Sequence, residues 1–337
     1  MMEAIAQAFA RVQQWVFEGA VLPVAEVFGL SGHAEQLFDG TELFLIGVVE
    51  IALLFALIRP LELWRPVEYR ADRRAVRTDV LYTLLHRLGL IPLAIFFLMR
   101  PLLDGFDGWL RMQGFVPPNL EDWFPLLAAS PVLAFFVYLV ILDLAEYWRH
   151  RLQHRWEWWW SLHALHHSQR EMTLWTDDRN HLLDDVLAKG WFAIVALAIG
   201  VPPGQFVMLV VATRLIESLS HANVRMSFGP IGDRILVSPL FHRVHHAIGS
   251  GHEGPARGCN FAQLFSFWDV IFGTAAFEQE YPRTGIRDQL AGRDYGEGFW
   301  RQQWLGLMRL LGRDRGEAVP APTRPGPESE PRQRATA

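Results

Sequence analysis

Pro125-Leu-Leu-Ala-Ala-Ser-Pro-Val-Leu-Ala-Phe-Phe-Val-Tyr-Leu-Val-Ile-Leu-Asp143-Leu-Ala-Glu146-Tyr147-Trp-Arg-His150-Arg-Leu-Gln-His154 begins as a run that dissolves in lipid and ends in paired imidazoles. Its stretch 125–147 is almost wholly apolar and long enough to cross a bilayer as a helix, which takes about twenty residues. The helix then delivers an H-x-x-x-H pair, His150 and His154, to one membrane surface. Residues four apart share a face of a helix, so both imidazoles can point to one place.

Four more apolar stretches lie outward from this one, at 42–58, 80–99, 186–201 and 205–219. The last two are short for independent spans. Pro202 and Pro203 separate them, where a helix must break, so a helical hairpin that does not fully cross is expected. Arg59, Arg65, Arg70, Arg73, Arg74 and Arg77 lie between the first and second stretches, whereas only Arg100 and Arg111 lie between the second and third. By the excess of basic residues on the cytoplasmic side, the first of these loops faces the cytoplasm. The third span then brings Arg149, Arg151 and Arg155 to the same side. A hairpin between them lets every later histidine group return there.

The composition agrees with this membrane reading. Of 337 residues, 51% are hydrophobic, and the net charge of -5 carries no nucleic-acid footprint. A single cysteine, Cys259, excludes an internal disulfide. Ile5, Phe9, Val12 and Val16 recur at helical spacing, which suits an interfacial amphipathic helix. After about Gly312 the tail is rich in proline and charge, and disorder is expected.

Two further groups complete the pattern. His163-Ala-Leu-His166-His167 and His242-Arg-Val-His245-His246 both read H-x-x-H-H, and each is expected to aim its imidazoles at a common point. Eight clustered nitrogens exceed the capacity of one four- to six-coordinate ion and suit two. His181 and His221 raise the candidates to ten. Imidazole suits iron, zinc, copper and nickel rather than magnesium or calcium. The H-E-x-x-H of zinc proteases is absent. Asp143 and Glu146 precede His150 by seven and four residues on the same helical face, so either can accept a hydrogen bond from a ligating imidazole. Asp143 is the candidate supporting residue for the catalytic centre.

The stretch from about Asp143 to Thr274 resembles the fatty acid hydroxylase and sterol desaturase superfamily of membrane-bound di-iron oxygenases. The resemblance runs through the three groups above, Arg179-Asn-His181, His221-Ala-Asn223, Ser238-Pro239, Asn260-Phe261 and Trp268-Asp269-Val-Ile-Phe-Gly273-Thr274. It implies His150, His154, His163, His166, His167, His242, His245 and His246 as metal ligands, with His221 beside them. His181 matches the family's Arg-x-His element, although Leu182, Leu183 and Asp184 replace the residues that often follow. The resemblance further implies two iron ions, dioxygen as co-substrate, a lipid substrate and hydroxylation or desaturation of a C–H bond. With no fused haem domain in the sequence, electrons are expected from a separate partner.

The expected fold is all-α: a polytopic membrane helical bundle with a cytosolic histidine-rich cap holding a di-metal centre. It divides into an interfacial segment (1–40), two spans with a basic loop (41–124), the catalytic region (125–276), an amphipathic region (277–312) and a disordered tail (313–337). The segment from Phe261 to Phe272 is expected as one amphipathic helix packing the cap or touching the membrane interface. The location expected is the bacterial inner membrane, with the histidines facing the cytoplasm. The rival function is a membrane metal transport or storage protein. Transport favours ligands near the bilayer midplane, whereas these gather at the ends of the spans.

Overall fold

The computed structural model describes residues 2–69, 72–115, 119–201, 203–249, 251–252 and 257–314. Among them every regular element is helical. The expected disordered tail lies outside the described residues except for Arg313 and Asp314. The principal helices are α1 (Met2–Val16), α2 (Ser31–Trp64), α3 (Arg73–Arg87), α4 (Leu90–Met112), α5 (Pro131–Arg155), α6 (Glu157–His167), α7 (Leu182–Ile199), α8 (Pro203–His221), α9 (Pro239–His245), α10 (Phe267–Ile271) and α11 (Phe299–Leu310).

Among the described residues two helices, α2 and α5, are long and apolar enough to cross a membrane. Only 28% of the most apolar window of α2 and 39% of that of α5 is buried inside the protein. Phe55 and Leu57 on α2, Leu98 and Leu102 on α4, and Val132 and Phe136 on α5 are exposed. So much uncovered apolar side chain requires lipid, and the molecule is a membrane protein. α5 starts cleanly because Ser130 accepts from the Leu133 N–H and Pro131 occupies the first turn.

The second expected span is not one straight helix. α3 and α4 meet at a bend of 49°. Gly89, at φ 84°, caps the start of α4 in the left-handed conformation, which breaks the helical run. A third crossing exists only if this bent pair counts as one span. The helix breaks where its prolines suggest: α7 ends on Gly200 at φ 66°, and α8 begins at Pro203.

Charge holds the bundle together where apolar contact does not. The guanidinium of Arg87, at the end of α3, is fully buried. It donates to Asp178 at 3.0 Å, Asp177 at 2.9 Å, Glu50 at 3.3 Å and Ser218 at 2.8 Å. Arg214 also reaches Glu50, at 3.5 Å. The intramembrane charges Glu50 and Arg214 are therefore paired, which is how ionisable groups persist in lipid. Close packing makes this possible: a Cβ on Gly47 of α2 would stand 1.7 Å from the Arg87 carbonyl oxygen.

Beyond α5 the chain turns at Trp156 into α6, which packs against α5 and α11. With α9 and the loop 257–266 they form the cap. Its core of Tyr147, Val237, Phe241, Phe261 and Ala262 lies directly against the histidines.

Candidate metal centre

Nine buried histidines gather into two adjoining groups. His150, His154, His163, His167 and His245 form one; His166, His221, His242 and His246 form the other. Within each group one ring nitrogen per residue lies within 4.8 Å of all the others. The groups abut: the rings of His167 and His246 stack with centroids 4.3 Å apart.

Helical periodicity explains this division and corrects the expectation that each box serves one point. Positions four apart differ by about 40° around a helix and positions three apart by about 60° the other way. His163 and His167 therefore share the five-histidine group while His166, between them, joins the other. In the third box the roles exchange. His242 and His246 serve the four-histidine group, and His245 crosses to the five-histidine group. Each H-x-x-H-H ties both sites to one short helix.

Hydrogen bonds fix several rings. The Nδ1 of His150 donates to the Phe261 carbonyl at 2.8 Å, and that of His245 to the Cys259 carbonyl at 2.7 Å. The Nδ1 of His163 faces Asp184 at 3.3 Å, and the Nδ1 of His221 donates to the Glu217 carbonyl at 2.8 Å. In the first three residues the Nε2 is left buried with no hydrogen-bond partner; His154 and His167 use neither ring nitrogen. In the second group the Nε2 atoms instead face each other, His166 to His221 at 3.1 Å, His221 to His242 at 2.9 Å and His242 to His246 at 3.2 Å.

Buried polar atoms without partners are costly, and so many in one place fit a set of metal donors. The charge state agrees. Burial, then neighbouring imidazoles, pushes His163, His166, His167, His242 and His246 far below the ordinary imidazole range, and burial takes His245 down to about 3. These rings are neutral at physiological pH, the form in which imidazole binds metal.

Two expected residues stand elsewhere. His181 caps α7: its Nδ1 accepts from the Leu183 N–H at 3.1 Å, while its Nε2 donates to the Gln303 carbonyl at 2.8 Å. Both nitrogens are engaged, so His181 is corrected from candidate ligand to helix cap. Asp143 meets no imidazole. Its carboxylate accepts from the N–H of Leu264 and of Phe265, each at 3.0 Å, and from the Trp268 indole at 3.1 Å. Glu146 pairs with Arg149 at 2.9 Å. The expected helix from Phe261 to Phe272 is mostly loop, with only Phe267–Ile271 helical, because these two aspartate-anchored turns hold its backbone: Asp269 accepts from the N–H of Phe261 and Ala262 at 2.8 and 2.9 Å. Burial pushes Asp269 up to about 6.

Sequence reasoning missed the carbonyls of Phe261 and Cys259, which no side-chain pattern announces. It also missed Asp184 and Asp177. The second lies 3.5 Å from His221.

The fold and site thus define a helical membrane protein carrying two polyhistidine groups fit to hold metal. Residues 135–274 match the fatty acid hydroxylase family model, and this region is similar to fatty acid hydroxylases and sterol desaturases. Human (Homo sapiens) alkylglycerol monooxygenase is 32% identical over 142 residues, 41% of this chain and 30% of that protein. An ornithine lipid hydroxylase of Rhizobium tropici is 32% identical over 138 residues, 40% of each chain. A Delta(7)-sterol 5(6)-desaturase of Gibberella zeae is 25% identical over 170 residues, 50% of this chain and 49% of that one. The chain therefore spans less than half the length of these relatives. No solved structure matches it significantly.

Proposed function

We propose that the protein is a membrane di-iron oxygenase that hydroxylates, or desaturates, a C–H bond of a lipid. The observation that carries this reading is the split of nine buried imidazoles into a group of five and a group of four. His150, His154, His163, His167 and His245 would hold one iron; His166, His221, His242 and His246 would hold the other. When bound, iron would supply the reductive activation of dioxygen. The overall balance is R–H plus O2, two electrons and two protons, giving R–OH and water.

The chain's own residues supply positioning and shielding. The Phe261 and Cys259 carbonyls select the Nδ1–H tautomer of His150 and His245, so that Nε2 faces inward. Asp184 does the same for His163, and Asp177 stands beside the Nδ1 of His221. Such partners orient ligands and raise their basicity. Burial of the groups excludes water that would otherwise meet a strong oxidant. The catalytic region is assigned to 125–276. The arginine excess between the first two spans supports a cytoplasmic site in a bacterial inner membrane, served by a separate electron donor. The names of the relatives, two lipid hydroxylating types and a sterol desaturase, support a lipid substrate.

Metal analysis of anaerobically purified protein joined to lipid mass spectrometry of cells with and without the gene tests this. About two irons per chain and a lipid differing by one oxygen, or by two hydrogens, are expected. One metal per chain, or zinc as the only metal supporting activity, overturns the reading.

A further inference from the structure

The end of α2 is fastened to the histidine cap at two points, and both lie behind the four-histidine group. The first is Glu62, a buried carboxylate in the last turn of α2. Its Oε1 accepts from the N–H of Asn223 at 2.9 Å and from that of Leu174 at 2.8 Å, while Oε2 accepts from Arg59 at 2.9 Å. Asn223 stands two residues beyond His221. Its side chain grips the α2–α3 loop in return. Oδ1 accepts from the N–H of Val67 and of Glu68, each at 2.9 Å, and Nδ2 donates to the Glu68 carbonyl at 2.8 Å.

The second point is the Glu68 carboxylate, which accepts from both terminal nitrogens of Arg243, one of them at 3.3 Å. Arg243 lies in α9 between His242 and His245, is only 3% exposed and gives its Nε–H to the Pro282 carbonyl at 2.8 Å. A two-pronged pair of this kind fixes orientation as well as distance. Without its carboxylate the buried guanidinium is an uncompensated charge, and α9 must shift to bring it to water.

The grip is one-sided. His221, His242 and His246, three of the group of four, stand on the segments that Glu62 and Glu68 hold. In the group of five, the rings of His150, His245 and His163 are faced by Phe261, Cys259 and Asp184, all within 135–274. Only His245 of the five shares α9. Asp79 of α3 also reaches the cap, binding Arg179 at 2.7 Å, but Arg179 holds the Leu165 carbonyl on α6, a helix that serves both groups. Glu62 and Glu68 lie outside the region that matches the family.

We propose that Glu62 and Glu68 are positioning residues for the four-histidine group. Glu62 sets the end of α8, and with it His221; Glu68 sets α9, and with it His242 and His246. The family-like region therefore depends on the end of α2 for the geometry of one of its two sites. That an iron fills this site rests on the oxygenase reading; the placement of the histidines does not.

The test uses the iron-loaded full chain in lipid nanodiscs with two readouts. Excess iron chelator gives the number of irons released and their rates. Carbethoxylation by diethyl pyrocarbonate, mapped by peptide mass spectrometry, shows which imidazoles open. Glu68→Gln keeps the shape and removes the charge. It is expected to release one iron about tenfold faster than the parent, as loss of a partner behind a ligand does. His221, His242 and His246 should then react while His150, His154 and His163 stay protected. Glu62→Gln should act in the same sense, and Glu68→Arg joined to Arg243→Glu should restore much of the retention. If Glu68→Gln cannot be purified, Glu68→Asp, which keeps the charge at shorter reach, should show a smaller change in the same direction. Equal opening of both groups would make the two carboxylates general stabilisers and overturn the proposal. So would release and labelling that match the parent's. A parent chain holding one iron or none counts against the oxygenase reading alone, because the labelling of the histidines still decides what Glu62 and Glu68 position.

Discussion

His166 and His167 share a peptide bond and serve different groups, so neighbouring substitutions have separable consequences. His167→Ala removes a donor from the five-histidine group, and His166→Ala removes one from the group of four. Each variant should retain about one iron, and Mössbauer spectra of the two should differ, because different sites stay filled. Identical spectra would mean that the groups do not act as two sites. Asp143→Asn acts at a distance. It replaces a carboxylate that accepts three N–H bonds by an amide whose NH2 opposes them, at a cost of about 2 kcal/mol. Thermal stability should fall, and iron should be lost first from the five-histidine group, since the anchored loop carries the carbonyls that hold His150 and His245. An unchanged melting temperature would remove Asp143 from this role. His181→Ala should cost about 1 kcal/mol for its two hydrogen bonds and leave the iron content intact; loss of an iron would restore His181 as a ligand.

Elements were legible in the sequence where periodicity or composition alone governs them. The apolar run at 125–147 and the prolines after 201 forecast α5 and the break between α7 and α8. The bend at Gly89 was not legible, because a lone glycine in an apolar run does not disclose its φ. Nor was the loop 257–266. Its apolar residues repeat at helical intervals, but Asp143 and Asp269 bind its backbone N–H groups from outside and fix another path. Side-chain competition of this kind overrides a periodic pattern. His221 stood among the ten candidate histidines and in the resemblance, but its geometry came only from α8 returning its end to the cap. The contact of α2 with α3 offers a direct test of how tightly these elements are locked. Gly47→Ala would place a methyl group 1.7 Å from the Arg87 carbonyl oxygen. Backbone atoms cannot yield as a side-chain tip can, so the helices must separate, weakening the ion pairs of Arg87. A loss of about 3 kcal/mol or more is expected; chemical denaturation in detergent that leaves the midpoint unmoved would show that α2 and α3 pack more loosely than this.

At the scale of the whole molecule the open issue is which side of the membrane the centre faces. α2 ends at Trp64, α3 begins at Arg73 and α5 ends at Arg155; the α2–α3 loop touches the cap through Arg225, whose N–H donates to the Arg65 carbonyl at 2.7 Å, and through Asn223, which accepts from the N–H of Val67 and Glu68. The basic loop and the histidines therefore share one side whatever the orientation. On the proposed reading, the arginine excess would put that side in the cytoplasm. The native thiol must first be removed, and Cys259 tolerates this: its structural contribution to His245 is a carbonyl, which Cys259→Ala keeps. Single cysteines are then placed at exposed positions, Tyr69 beside the basic loop and Trp123 between α4 and α5. An impermeant thiol reagent applied to intact cells should label position 123 and spare position 69, with both labelled after lysis. Labelling of position 69 from outside would invert the molecule. An electron donor for the proposed oxygenase would then have to be sought on the outer face of the membrane.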